Sequence, residues 1–143
     1  MIVRPKDFCK VVHGISAVSL SAGGSTDFGA SGGIDVSDWE YALIIVNTGV
    51  TDTVLTVQAQ EGPTSTISGH SDITGATMTI AATDDATSQA IDLRLTGKDA
   101  FLNVDIDAVG GTSAVVSCTV VLFRPIDQQY DIASTDEPQT SVD

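Results

Sequence analysis

The chain reads as all-β, a single antiparallel β-sandwich of jelly-roll type carrying extended N- and C-terminal arms. Three observations lead there. Thr, Ser, Val, Ile, Ala and Gly dominate the 143 residues, and β-branched side chains crowd a helix but suit a pleated surface. Short runs with apolar residues at every second position recur about every ten residues, cut by Gly and Asp, which is the spacing of a sandwich or jelly roll. No stretch keeps the 3.6-residue period of a helix.

Residues 1–13, MIVRPKDFCKVVH, alternate poorly, contain Pro5 and mix signs, so they read as an N-terminal arm. The sandwich is expected over 14–125. ISAVSLSA (15–22) alternates weakly, and 25–39 is glycine-rich and irregular. EYALIIVNTG (40–49) is apolar on both faces, as a strand buried on both sides would be. Its Asn47-Thr48-Gly49 end and the strand at 53–61, with Leu55, Val57 and Ala59 inward, suggest a hairpin. Residues 62–75 read as a polar loop with a short strand near Thr66–Ser68. Strands follow at 76–82, at 89–95 with Ile91, Leu93 and Leu95 inward, and at 100–107. In the last, Leu102, Val104 and Ile106 point inward and Phe101, Asn103, Asp105 and Asp107 outward. With AVVSCTVVLFRP (114–125) these suggest an antiparallel meander. Jelly-roll and immunoglobulin-like strand orders both accommodate such hairpins.

The final strand poses a problem. Val116, Cys118, Val120 and Leu122 give one apolar face, yet the opposite face ends in Val121 and Phe123. The cover for that second face is expected to be a neighbouring subunit, a folded-back arm or Trp39. Residues 126–143, IDQQYDIASTDEPQTSVD, are acidic, lack both periods and read as a C-terminal tail.

The net charge is −13, from six Lys plus Arg against nineteen Asp plus Glu. That argues against nucleic acid as a partner, since phosphates need basic contacts. No apolar run reaches the ~18 residues of a membrane helix. MIVRPKDFCK has a proline and charges where a secretory signal would be apolar, so no export signal is expected. Without export a Cys9–Cys118 disulfide is not favoured; Cys118, on the apolar face, reads as a buried free thiol.

Catalytic chemistry finds no constellation. GASGG (29–33) matches G-x-S-x-G formally but lacks the strand, helix and partners of a nucleophile elbow. His13 and His70 sit in no metal-ligand pattern and read as solvent-exposed. Asp105 and Asp107 would need further oxygens to hold Ca²⁺; the plainer reading is a solvated strand face. No enzyme, cofactor or metal is expected.

The order of residues is nevertheless distinctive. Asp35–Glu40 fit D-x-x-x-[WY]-[ED] ahead of an apolar strand. Thr51–Glu61 fit TDTxLTVQxxE and Gly97–Val104 fit G-K-x-x-[FY]-L-x-V. A GGT turn at Gly110–Thr112 leads to a last strand ending in Arg124-Pro125. Over roughly residues 10–125 this resembles the capsid decoration (cement) or minor head proteins of tailed double-stranded DNA bacteriophages. Where those proteins commonly carry an arginine in a Y-[IL]-R-V strand, this chain has Asn103. The resemblance implies a β-sandwich made in the host cytoplasm that decorates the virion surface. It implies binding to the major capsid protein, commonly as a homotrimer, to stabilise the shell by bridging capsomers. Candidate contact residues are Arg4, Lys6, Phe8 and Lys10 from the basic N-terminal stretch, Val121, Phe123 and Arg124 from the last strand, and Tyr130 from the tail. The alternatives are a neck, tail or head-fibre protein of the virion, and a carbohydrate-binding module using the outward face of 100–107.

Overall fold

The computed structural model describes residues 8–126. Among these residues nine strands form two antiparallel sheets. Strands β1 (Cys9–Ser21), β9 (Ser113–Pro125), β4 (Trp39–Thr51) and β7 (Ser88–Arg94) lie in that order in a four-stranded sheet. The second sheet runs β2 (Ser25–Thr26), β8 (Phe101–Val109), β5 (Val54–Gly62) and β6 (Ser71–Ile80), with β3 (Ile34–Asp35) also pairing β8. The chain crosses repeatedly between the sheets, and the last strand lies between the first and the fourth, which is the strand order of a jelly roll.

The core forms as the period-2 patterns require. Ala42, Ile44 and Val46 of β4 and Val116, Cys118, Val120 and Leu122 of β9 point inward from one sheet. Leu55, Val57 and Ala59 of β5 and Leu102, Val104 and Ile106 of β8 meet them from the other. All are at most 1% exposed. Ile91, Leu93 and Leu95 and the β6 residues Ile73 and Ile80 complete the layer.

Several connections differ from the sequence reading. Residues 40–49 and 53–61 do not form a hairpin, because β4 and β5 belong to different sheets. Asp52 and Thr53 carry the chain across the sandwich, stitched to the β8–β9 connection. The Asp52 N–H donates to the Ser113 carbonyl (2.8 Å), and the buried Thr53 hydroxyl donates to the Gly110 carbonyl. The expected meander of the last three strands is likewise two crossings, since β8 lies opposite β7 and β9. Each sheet turns one face to the core, so strands adjacent in sequence are shared between the two layers. The hairpin that does form joins β5 to β6. Its connection holds a 3₁₀ turn at Ile67–Gly69 where a short strand was expected, and β6 starts at Ser71, inside the expected loop.

The expected arm over 1–13 is shortened. β1 begins at Cys9, and five successive residues to His13 pair with β9, from Cys9 opposite Phe123 to His13 opposite Thr119. Register shifts follow between His13 and Ile15 and between Ile15 and Val18. These bulges explain the weak alternation of ISAVSLSA, because each inserted residue flips the sense of the pattern. Residues 1–7, with Arg4 and Lys6, and the tail 127–143, with Tyr130, lie outside the described residues.

Candidate functional site: the outer face of the four-stranded sheet

The ladders of β1, β9, β4 and β7 place their outward side chains in rows. One row runs Cys9, Phe123, Tyr41, Arg94; the next runs Val11, Val121, Leu43, Asp92; the third runs His13, Thr119, Ile45, Ala90. Directly opposed side chains on one face stand ~5 Å apart. Tyr41, Leu43, Ile45, Val121 and Phe123 therefore form one apolar stripe down the middle of the sheet. Each is half-buried, and Val11 at its margin is 67% exposed.

The stripe settles what flanks Val121 and Phe123 within the described chain. β9 is a central strand, so β1 and β4 shield its outward side chains from the sides. Trp39, opposite Pro125 at one end of this ladder, packs against the core. The sheet's outer surface thus holds an apolar centre, with charges at its margin.

Arg124 belongs to that margin. It adopts a left-handed backbone (φ 57°), uncommon for a residue with a side chain. Its guanidinium lies 3.3 Å from the Glu40 carboxylate and 5.9 Å from the Tyr41 ring centroid. An exposed ion pair of this kind contributes little stability; with the cation over the ring it holds Arg124 against the stripe. Lys10 is exposed on β1, and Phe8 is half-buried just before it. Of the sequence candidates, Val121, Phe123 and Arg124 come together here, with Lys10 and Phe8 beside the neighbouring strand. Tyr41, Leu43 and Ile45 were missed as site residues. The signal was their second apolar face, read as burial within the monomer.

The outer face of the other sheet is polar and differs from expectation at one point. Asn103, expected outward, is fully buried. Its Oδ1 accepts the Phe28 N–H (3.1 Å) and its Nδ2 donates to Gln60 Oε1 (2.9 Å). The segment between β2 and β3 covers it, so the face proposed for sugar binding is partly roofed. Asp105 beside it is raised above the usual carboxylate range, first by burial and then by the charges of Asp107, Asp27 and Asp72. Among the described residues no group of three or more His, Cys, Asp or Glu could hold a metal ion.

His70 is not simply an exposed loop histidine. Its Nε2 meets the Thr64 carbonyl at 2.8 Å and its Nδ1 is buried without a partner. The ring fits because Gly33 and Gly62 flank it; a Cβ on Gly33 would fall 2.7 Å from its Cε1. Among the described residues, no helix is long and apolar enough to cross a membrane.

No family model and no curated protein matches the chain. Solved structures do resemble it. One is described as "Bacillus endospore appendages form a novel family of disulfide-linked pili": 13% identical, covering 82% of this chain and 90% of that one, TM-score 0.46. A second is "Crystal structure of PirA", 16% identical over 81% and 94%, TM-score 0.45. A third is the structure of infectious bursal disease virus Gx strain, 13% identical over 87% of this chain but 33% of that one, TM-score 0.40. Likeness at this level assigns neither family nor function, and the jelly-roll order rests on the ladders themselves.

Proposed function

We propose that the protein is a non-enzymatic structural subunit of a bacteriophage virion. It would decorate the outside of the capsid as a homotrimer and bridge major capsid proteins. The observation that carries this reading is the stripe Tyr41–Leu43–Ile45 beside Val121–Phe123, apolar and half-buried on the outward side of a sheet. Contiguous apolar surface on a water-soluble fold marks a contact surface, and charged residues at its margin fit the polar rim of a protein–protein interface. The motif order over residues 10–125 supplies the capsid context by resemblance.

The mechanism is linkage. A subunit that binds the assembled shell and not its dissociated parts lowers the free energy of the shell alone, and so opposes disassembly. The net charge of −13 on each chain keeps free trimers apart in solution before docking.

The test is to mix purified protein with heads stripped of decoration and sediment them. The expected result is saturable co-sedimentation, heads that survive higher temperature, and a free-protein mass of three chains by light scattering. Absence of binding, together with absence of the chain from purified virions by mass spectrometry, overturns the reading.

A further inference from the structure

The stripe stops at β1, and β1 is a sheet edge. Among the described residues its Cys9–His13 stretch pairs with β9 alone. An edge strand offers alternate N–H and C=O groups to any further strand. Here the regular part is five residues long, ending at the His13–Ile15 register shift, so it suits a short added strand and not a full-length partner. A cleft of about 270 Å³ lies alongside, between Lys10, Val12, His13 and Gly14 on one wall and residues 31–35 on the other. Val11 stands at the margin, 67% exposed, with Val121 beside it and no described strand on its other side.

We propose that this edge receives the acidic C-terminal tail of a second copy of the chain, as an added antiparallel strand. The tail holds Asp127, Asp131, Asp136, Glu137 and Asp143 and no Lys or Arg, whereas the edge presents Lys10. Side-chain order fits as well as charge. With Asp131 opposite Lys10, Tyr130 falls beside Val11 and Ile132 beside Cys9, because neighbouring residues of a strand point to opposite faces. Tyr130 and Ile132 then extend the rows Val11–Val121–Leu43 and Cys9–Phe123–Tyr41, covering Val11. Asp131 falls on the cleft side with Lys10.

Chain direction selects a second copy over the same one. β9 runs antiparallel to β1 and ends at Pro125, near the start of β1. A chain's own tail, leaving from that end, would run parallel to β1, the weaker pairing. A neighbour's tail approaches antiparallel. In this register four residue steps separate Ile126 from Tyr130, a reach of ~14 Å when extended, so the donor's last strand must end close to the recipient's β1. Backbone pairing along an edge, with side chains at alternate positions giving specificity, is an established way for an extended segment to bind a sheet.

The inference rests on the self-association in the proposed function, and the experiment separates the two. A full-length chain carrying Ile132→Cys and Cys9→Ser is mixed with unmodified chain, allowed to exchange and oxidised gently. The expected product is a disulfide-linked pair of chains. It is lost when the introduced thiol is moved to Thr140, and Lys10→Glu in the unmodified partner reduces it about fivefold, as reversing one cross-strand charge pair should. A chain carrying Ile132→Cys and its own Cys9 that closes only on itself overturns the proposal in favour of its own tail. No bridge in a sample that light scattering shows to be oligomeric overturns the tail and leaves the assembly reading standing. No bridge in a monomeric sample overturns both.

Discussion

The Asn103 carboxamide accepts the backbone N–H of Phe28, 75 positions away in the chain, and no part of Asn103 is exposed. Between β2, opposite Ile106, and β3, opposite Leu102, the chain leaves the β8 edge. Asn103 spans that gap, while the buried Phe28 ring lies close to Gly14 of β1 in the other sheet. One amide thus holds the segment that closes the sandwich along its β1–β2 side.

Asn103→Ala is therefore expected to destabilise the fold by about 1–3 kcal/mol, the cost of leaving a buried donor unpaired. Thermal unfolding should show the loss. An unchanged midpoint would mean that the 27–33 segment is held by other contacts.

Phe123→Asp and Val121→Asp place a charge in the outer stripe without touching the core. Both are expected to unfold within about 1 kcal/mol of the parent, as surface changes do, while sedimenting as smaller species and failing to bind heads. If either variant instead unfolds at the outset, those side chains support the monomer's own fold and the interface lies elsewhere.

How far the sequence leads depends on how local the deciding contact is. The alternation of Leu55, Val57 and Ala59, and of Val116 to Leu122, reads directly as core because each residue reports its own face. The crossing at Asp52–Thr53 does not, since the same turn residues serve a hairpin and a change of sheet; the choice lies with Ser113 and Gly110, half a chain away. The first part of β1, Cys9–His13, was hidden because Lys10 and His13 break its period and register shifts follow, although the ladder to β9 holds it. Asn103 looked outward by parity and is outward by parity; only Phe28 and its segment, remote in sequence, make it buried. The stripe was half legible. Val121 and Phe123 stood out as apolar on a strand whose outward face starts polar, but Leu43 and Ile45 sat in a run that monomer burial explained equally well.

The two cysteines should react very differently. Cys118 is fully buried and burial pushes its thiol up to about 12, so almost no thiolate exists at neutral pH. Cys9 is half-buried and free. Opposite Phe123, it sits five positions along β9 from Cys118, roughly 17 Å at the rise of a strand and far beyond disulfide reach. A thiol reagent is expected to modify one group per native chain and two after denaturation. Two fast groups in the native state would contradict the burial of Cys118.

Asp105 supplies the pH test. Desolvation, then the charges of Asp107, Asp27 and Asp72, raise its carboxyl in the folded state above its ordinary value of 3.8. The folded protein therefore binds this proton more readily than the unfolded chain does. At a pH above the folded value, ionised Asp105 opposes folding; the penalty shrinks as pH falls through that value and is gone below 3.8. Asp105→Asn should stabilise the protein at pH 7 by a few tenths of a kcal/mol, a modest gain because the group is partly solvated. The gain should fade in acid toward pH 4. Chemical denaturation of both proteins at pH 7 and pH 4 measures the difference. A larger gain at pH 4 would reverse the sign and show that Asp105 is held ionised by a favourable partner.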